Sequence, residues 1–179
     1  MSMQPGALAI DLSDRTIDVS IVGGPTFELP IGPLALVDGP LERAGVPAPE
    51  QLTNAIGLVH DHVDDVLIAA PSVADAVSVT ATGRHAVALA RVELGSDDVP
   101  PDYRLERADA DEVFRTIVVE PVDERRHNPG LSDSDVESII GTCCVILGIM
   151  RRLDLRHIDI RSGPAATHPD PARSPVGDG

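Results

Sequence analysis

The residues of this sequence best suited to binding an anion lie where a helix is predicted to begin. Thr82, Gly83, Arg84 and His85 precede or open a helical stretch that Gly95 ends. Main-chain N–H groups at a helix N-terminus favour negative charge, and Arg84 and His85 can add cationic side chains. This pattern indicates a site for a small anion. The alternative, a capped helix start with solvated side chains, stays open.

A second group with ligand chemistry is the run His60-Asp61-His62, followed by Asp64 and Asp65. Imidazoles and carboxylates bind metals. Because residues two apart on a helix face different directions, His60 and His62 do not converge on one ion. The run therefore predicts a solvated, acidic helix end. The charged run 123–127 similarly predicts an exposed, salt-linked loop.

The two cysteines, Cys143 and Cys144, are adjacent inside the most apolar helix of the sequence, predicted over 133–153. Neighbouring helical side chains point apart, so an ordinary disulfide between them is sterically disfavoured. The pair is interpreted as small buried apolar side chains, with a redox or metal site as the alternative. No Ser/His/Asp or Cys/His arrangement suggests nucleophilic catalysis.

The helix at 133–153 has acids near its start and Arg151 and Arg152 near its end, as the helix dipole favours. One apolar face is predicted to pack on the sheet. The opposite face carries no charge and forms a candidate interaction face of five residues: Gly141, Thr142, Val145, Gly148 and Ile149. Either the chain's own helix 49–64 covers this face, or a second chain does, which would make a two-fold homodimer.

The remaining elements follow from periodicity and turn residues. Strands at 7–12, 16–22 and 26–31 form an antiparallel meander. A helix at 49–64 leads to short strands at 66–70 or 77–81, and helices at 85–94 and 110–119 precede a strand at 155–160. The pattern predicts an α/β domain, with a mixed five-stranded sheet and helices on both faces. The domain is expected over 1–163, and the Pro-, Gly- and Asp-rich 164–179 as a disordered tail.

Composition argues against several classes of partner. The 179 residues include 29 acids and 14 basic residues, all arginine, for a net charge of −15. Such a charge disfavours nucleic acid and anionic membranes as partners. No signal peptide is evident, and no apolar run approaches the roughly 18 residues of a membrane span. We expect a cytoplasmic protein.

The order and spacing of several segments resemble a known family. They are residues 88–95, Tyr103-Arg104-Leu105 before an acid-led helix, 123–126, Pro129-Gly130-Leu131, and the apolar helix with its following strand. This arrangement, over roughly residues 5–163, resembles the C-terminal half of the core of the Ppx/GppA family. These are exopolyphosphatases and guanosine pentaphosphate phosphohydrolases with a ribonuclease-H-like fold of the actin/Hsp70/sugar-kinase type.

The resemblance implies phosphate-binding loops, which are glycine-rich because backbone N–H groups must approach phosphate closely. The matching segments here are 11–18, 81–85 and 161–163, and most of their glycines are replaced. In the first loop Asp14 places a negative charge where phosphate would lie. The residues that retain part of the pattern form a vestigial phosphate-binding set: Asp11, Ser13, Thr82, Gly83, Arg84, Ser162 and Gly163.

The resemblance also implies a cleft between two domains, with the catalytic Glu on an N-terminal domain outside the matched region. We therefore expect a catalytically degenerate domain that binds a protein partner or itself and needs no cofactor. The alternative is an active or nucleotide- or polyphosphate-binding phosphatase that completes its cleft by self-association. That alternative would require Mg²⁺, for which Asp11 is the candidate ligand, although a turn Asp is more often a local backbone acceptor.

Overall fold

A computed structural model describes residues 6–162 of the chain. The helices and strands follow one another with short connections. The strands are β1 (Ala7–Leu12), β2 (Ile17–Ile21), β3 (Thr26–Leu29), β4 (Ser78–Thr82), β5 (Asp102–Glu106) and β6 (His157–Arg161). The helices are α1 (Pro33–Asp38), α2 (Pro49–Ala69), α3 (Arg84–Leu94), α4 (Arg107–Ile117), α5 (Val122–Arg125) and α6 (Ile139–Arg152), with a 3-10 turn at Pro71–Asp75.

The strands form one mixed sheet of six strands in the order β3-β2-β1-β4-β6-β5. Strands β1, β2 and β3 are an antiparallel meander, as the sequence predicts. Strand β4 pairs parallel with β1 and β6, and β5 is an antiparallel edge strand. The predicted α/β class is confirmed, with one strand more than the five expected. The additional strand is β5.

The burial pattern places the apolar side of the sheet against the helices. In β1, Leu8, Ile10 and Leu12 are buried, whereas Ala7, Ala9 and Asp11 are half-buried. The two crossovers, from β3 to β4 and from β4 to β6, run in the same direction across the sheet. Right-handed crossovers therefore put their helices on one face. Helices were predicted on both faces; within residues 6–162 the second face is half-exposed.

Helix α6 lies at the centre of the helical layer. Its first twelve residues, Ile139 to Met150, are all buried. It contacts α1, α2, α3 and α4. No helix within residues 6–162 has the length and apolar character needed to cross a lipid bilayer.

The predicted interaction face of α6 is wrong, because other helices of the same domain cover it. A Cβ atom on Gly141 would lie 2.2 Å from the carbonyl oxygen of Pro33, at the start of α1. A Cβ atom on Gly148 would lie 2.7 Å from Cγ1 of Val59, on α2. The other three residues of the face, Thr142, Val145 and Ile149, are each at most 1% exposed. The alternative, coverage by helix 49–64, is what the structure shows.

Two boundaries also differ from the prediction. The stretch 66–70, predicted as a strand, continues α2 to Ala69, because Val59, Val63 and Val66 are all buried at helical spacing. Helix α6 begins at Ile139 and not near 133, because residues 132–138 form turns closed by bonds such as Asp135 N–H to the Ser132 carbonyl. The short predicted strand near 77–81 is present as β4.

The close approach of α1 to α6 yields a prediction on stability. Replacement of Gly141 by Ala should lower the free energy of unfolding by about 3 kcal/mol, because the new methyl overlaps the Pro33 carbonyl. Gly57→Ala is the matched control: it lies inside α2 with no atom within 4 Å of the added Cβ. That change should stabilise the protein by about 0.5 to 1 kcal/mol. Urea unfolding of the two variants measures both effects, and equal stabilities would contradict the packing described here.

Candidate functional site

Two of the predicted site residues meet where β1 and β4 end side by side. Asp11 lies opposite Thr82 in the parallel register. The Thr82 hydroxyl donates a hydrogen bond to Asp11 Oδ1 at 3.0 Å. Carboxyl ends of parallel strands are where α/β proteins place ligands. The pair therefore stands at the appropriate edge of the sheet.

Gly83 connects β4 to α3 by a route that only glycine permits. Its φ is +95°, and a Cβ atom there would lie 2.5 Å from the Leu12 carbonyl oxygen. A side chain would be strained by the backbone conformation and blocked by β1. Because the loop passes so tightly over the end of β1, the first residues of α3 are brought to the β1–β2 turn.

The carboxylate of Asp14, in the β1–β2 turn, contacts both of the first two side chains of α3, Arg84 and His85. Its Oδ1 accepts hydrogen bonds from Arg84 Nη2 at 2.8 Å and from His85 Nε2 at 2.8 Å. The hydrogen bond from Arg84, followed by that from His85, holds the pKa of Asp14 below its usual value of 3.8. Asp14 is therefore ionised at neutral pH.

Arg84 binds a second carboxylate on its other side. Its Nη1 donates to Asp135 Oδ1 at 2.7 Å, and Asp135 is only 5% exposed. The second oxygen of Asp135 accepts a hydrogen bond from the Ser132 hydroxyl at 2.7 Å. The Arg84 guanidinium is thus held between two acids in one ion-pair network. Asp135 is the buried acid, and Asp14 is the half-exposed one.

His85 is fully buried, contrary to the prediction of a solvated side chain. Burial lowers the pKa of His85, and the hydrogen bond to Asp14 opposes this only in part. The imidazole is therefore neutral at pH 7. Because ionised Asp14 can only accept, Nε2 carries the proton and donates it. Its Nδ1 is buried and has no partner among the described residues.

An open cavity of about 570 Å³ lies beside this network. Its walls come from the carboxyl ends of β4 and β6, from α3, and from the turn before α6. The cationic groups on it are Arg84, Arg91 and Arg161, and hydroxyls come from Ser132, Ser134 and Ser162. Arg161 pairs with Asp102, Nε to Oδ1, at 3.1 Å. The cavity has the shape and lining for an anion, but acids already contact two of its three arginines.

The sequence matches no family model and no curated protein. Solved structures do match this fold. An exopolyphosphatase-like protein superposes with a TM-score of 0.78 at 18% identity, over 88% of this chain and 56% of its own. The fold is that of the Ppx/GppA phosphatases.

Two further structures agree with this assignment. The type II variant of the Aquifex aeolicus Ppx/GppA phosphatase has a TM-score of 0.75 at 13% identity, covering 89% of this chain and 54% of its own. An exopolyphosphatase from Cytophaga hutchinsonii has a TM-score of 0.67 at 14% identity, covering 88% and 53%. The chain spans a little more than half the length of these proteins. At such identities the likeness establishes the fold, as the sequence resemblance predicted.

Within the Ppx/GppA fold, most of the vestigial phosphate-binding set lies at one edge of the sheet. Asp11, Thr82, Gly83 and Arg84 are adjacent, Ser162 lines the cavity, and Ser13 lies exposed in the β1–β2 turn. Gly163 lies outside the described residues. Sequence reasoning missed three features of the site. They are the burial of His85, the ion pair between Arg84 and Asp135, and the position of Arg91 on the cavity wall. Asp135 lies 51 residues from Arg84 and was interpreted only as an acid favoured by the dipole at a helix start, so nothing in the sequence paired the two.

The metal and thiol candidates have simpler outcomes. Among residues 6–162, no three or more His, Cys, Asp or Glu side chains converge as a metal site. Asp11 supplies one carboxylate, which already accepts the Thr82 hydroxyl. Mg²⁺ sites usually use one or two carboxylates, with water and substrate as the other ligands. Asp11 could therefore supply one ligand through its second oxygen. Cys143 and Cys144 are buried, and burial raises the pKa of both thiols.

The His85 environment makes stability dependent on pH. The unfolded pKa of 6.5 is lowered on folding, so the unfolded state takes up the proton first as pH falls. Above pH 6.5 the neutral state of His85 contributes its full stabilisation. As the pH falls from 6.5 through the folded pKa, this contribution is lost, and the free energy of unfolding falls by at most about 1.4 kcal/mol per pH unit. Urea unfolding between pH 7 and pH 5 should show this decline, and His85→Gln should flatten it.

The control for this effect is His127→Gln, since His127 is exposed in the turn after α5. The control should keep the slope of the unaltered protein. A wild-type stability that does not change over this range, or that falls equally in His85→Gln, would contradict the neutral, buried state assigned to His85.

Proposed function

We propose that this chain is a catalytically degenerate Ppx/GppA-like domain that acts by binding a protein, either a partner or a second copy of itself. The observation that carries the proposal is the Asp14 carboxylate. It bonds the two side chains, Arg84 and His85, that would otherwise be available to a phosphate at the start of α3. An internal acid takes the place of the ligand.

The electrostatics of this edge disfavour a polyphosphate. A phosphate chain entering beside Arg84 would meet two carboxylates, Asp14 and Asp135, that already bind the guanidinium. It would have to displace them or lie next to them, and like charges a few ångströms apart repel by several kcal/mol where solvent screening is weak. His85 is neutral, so it adds no positive charge. Replacement of the loop glycines adds Cβ atoms, which keep backbone N–H groups from approaching a phosphate closely enough to offset this repulsion.

The half-exposed face of the sheet supports a role in protein binding. At its centre are Ala9 on β1 and Thr80 on β4, which pair in register. Flanking them are alternating ion pairs on the outer strands, such as Arg104 with Asp159. Within residues 6–162 this face has no covering helix, so it is open to a partner.

The alternative function, a phosphatase whose cleft is completed by self-association, rests on the retained pair of Asp11 and Thr82 beside a cavity with three arginines. An Mg²⁺ ion, if bound, would use Asp11 and would neutralise phosphate charge there. The alternative function requires the protein to release phosphate from a substrate, whereas a degenerate domain releases none.

The phosphate prediction uses Asp14. The unaltered protein with Mg²⁺ should release no phosphate from polyphosphate or guanosine pentaphosphate, and calorimetry should detect no binding of pyrophosphate. In Asp14→Ala, Arg84 loses one of its two acids and His85 loses its only acceptor. Pyrophosphate affinity should rise at least roughly tenfold, as removal of one nearby like charge implies.

Asp123→Ala is the matched control, because Asp123 is exposed on α5 and the change in net charge is the same. It should not bind pyrophosphate. Turnover by the unaltered protein that disappears on Asp11→Ala would refute degeneracy and establish the alternative function.

The protein-binding part has its own test, with a second copy as the partner. Light scattering at increasing concentration should reveal a dimer, and Thr80→Arg should abolish it by placing a charge at the centre of the open sheet face. Thr53→Arg, the same change on the exposed side of α2, should leave the dimer intact. A monomer at all concentrations would rule out self-association and leave a different protein as the partner.

A further inference from the structure

A second cavity, of about 380 Å³, lies on another side of α6. Its walls are formed by α1 with the turn after it, by α5, and by the turn that precedes α6. None of the residues that line it lines the cavity beside Arg84. Its volume falls within the range of about 300 to 1,000 Å³ typical of small-molecule sites.

The walls of this cavity combine aliphatic and charged side chains. Val37, Leu41, Val136 and Ile140 are each at most 5% exposed by residue and line it together with Val122. Apolar surface of this kind gains free energy when a ligand covers it, at about 25 cal/mol per Å². The surface therefore suits an apolar body and not a strongly hydrated ion.

One charged side chain is buried among these apolar groups. Arg125 is only 2% exposed, although the sequence predicted an exposed, salt-linked loop. Its guanidinium donates to the main-chain carbonyls of Gly45 at 2.7 Å, Glu120 at 2.9 Å and Val136 at 3.4 Å. These bonds fix the turns around the cavity. They also explain why an arginine is tolerated there.

The charge of Arg125 is not balanced by a direct acid contact. No carboxylate of residues 6–162 lies within ion-pair distance of it, and its Nε is buried without a partner. The nearby Glu120 instead accepts a hydrogen bond from Asn128. Burial lowers the pKa of Arg125, but a guanidinium stays protonated at physiological pH. A buried, unpaired cation is costly, and an arriving anion would relieve that cost.

The charges at the mouth of the cavity are mixed. Arg43 pairs with Asp38 and Glu137, so it is already balanced. Arg126 is exposed and has no side-chain hydrogen bond or ion pair within residues 6–162, and Asp133 lines the same mouth. The three arginines exceed the two acids that line the cavity, which is unusual on a chain with a net charge of −15.

We infer that this cavity binds a small carboxylate with an aliphatic body, whose carboxylate faces Arg125 and whose chain covers the valine and leucine wall. Arg125 lines the cavity, so the ligand carboxylate balances its otherwise unpaired charge. Arg126 adds attraction at the mouth.

The probe is hexanoate, followed by two-dimensional ¹⁵N NMR of the whole protein. Hexanoate should shift, saturably, the amide signals of the segments around the cavity, near residues 37–47, 122–126 and 136–140. Acetate, which has the charge without the chain, and 1-hexanol, which has the chain without the charge, should each bind at least roughly tenfold more weakly. Saturable binding of hexanol as tight as that of hexanoate would overturn the role of Arg125.

Variants locate the site. Arg126→Glu reverses a charge at the mouth and should weaken hexanoate binding roughly tenfold. Arg115→Glu, an identical change at an exposed position of α4, should leave the affinity unchanged. Val122→Phe should fill the cavity and abolish the shifts. If Val122→Phe does not fold, the comparison of Arg126→Glu with Arg115→Glu decides alone. Equal affinities of these two variants for hexanoate, or no saturable shift in the unaltered protein, would overturn the proposal.

Discussion

The close packing around α6 is the constraint on which the rest of the structure depends. Gly141 lets the backbone of α1 approach, and Gly148 lets Val59 of α2 approach, so four helices can contact a helix with twelve successive buried residues. Because α6 is fixed from several sides, the place where it begins is fixed too. The turn before it then contributes to both cavities: Asp135 binds Arg84, and the carbonyl of Val136 accepts from Arg125.

The two arginines that this turn contacts differ in how their charges are balanced. Arg84 is half-exposed and has two carboxylate partners, whereas Arg125 is buried and has carbonyl partners only. At the first site the guanidinium is already balanced by two acids, which is the basis of the proposal that this domain has the Ppx/GppA fold but does not bind phosphate there. The second has a positive charge that its surroundings do not neutralise. Ligand binding is therefore expected at the second site, which no local sequence pattern indicated.

Local patterns predicted the elements whose signals are strong. The alternation in 7–12 and 16–22, the turn at Gly23-Gly24-Pro25 and the long apolar run near 139–150 produced the correct meander and central helix. Strand β5 was missed because Tyr103 and Leu105 are its only apolar residues and Pro100-Pro101 precedes them. The open sheet face follows from the direction of two crossovers, which is a property of the whole topology and is invisible to periodicity.

The site was predictable in part. Asp14 stood out as an acid in a loop where the related pattern has glycine, and Gly83, beside Arg84, was the one glycine retained in the second loop. What sequence reasoning missed depends on contacts between distant segments. Asp135 reaches Arg84 across 51 residues, and Gly45 reaches Arg125 across 80. A charged run such as 123–127 is usually solvated, so the burial of Arg125 had no local signal.

The central claim is that Asp14 occupies the place of a phosphate ligand, and the ¹⁵N signals of the His85 imidazole test it most directly. In the unaltered protein at pH 7, long-range ¹H–¹⁵N spectra should show a neutral ring protonated on Nε2, donating to Asp14. Those signals should not move when pyrophosphate and Mg²⁺ are added. A saturable shift of the His85 signals, or a ring that gains a proton as pyrophosphate binds, would show that the phosphate site is functional and would contradict the account.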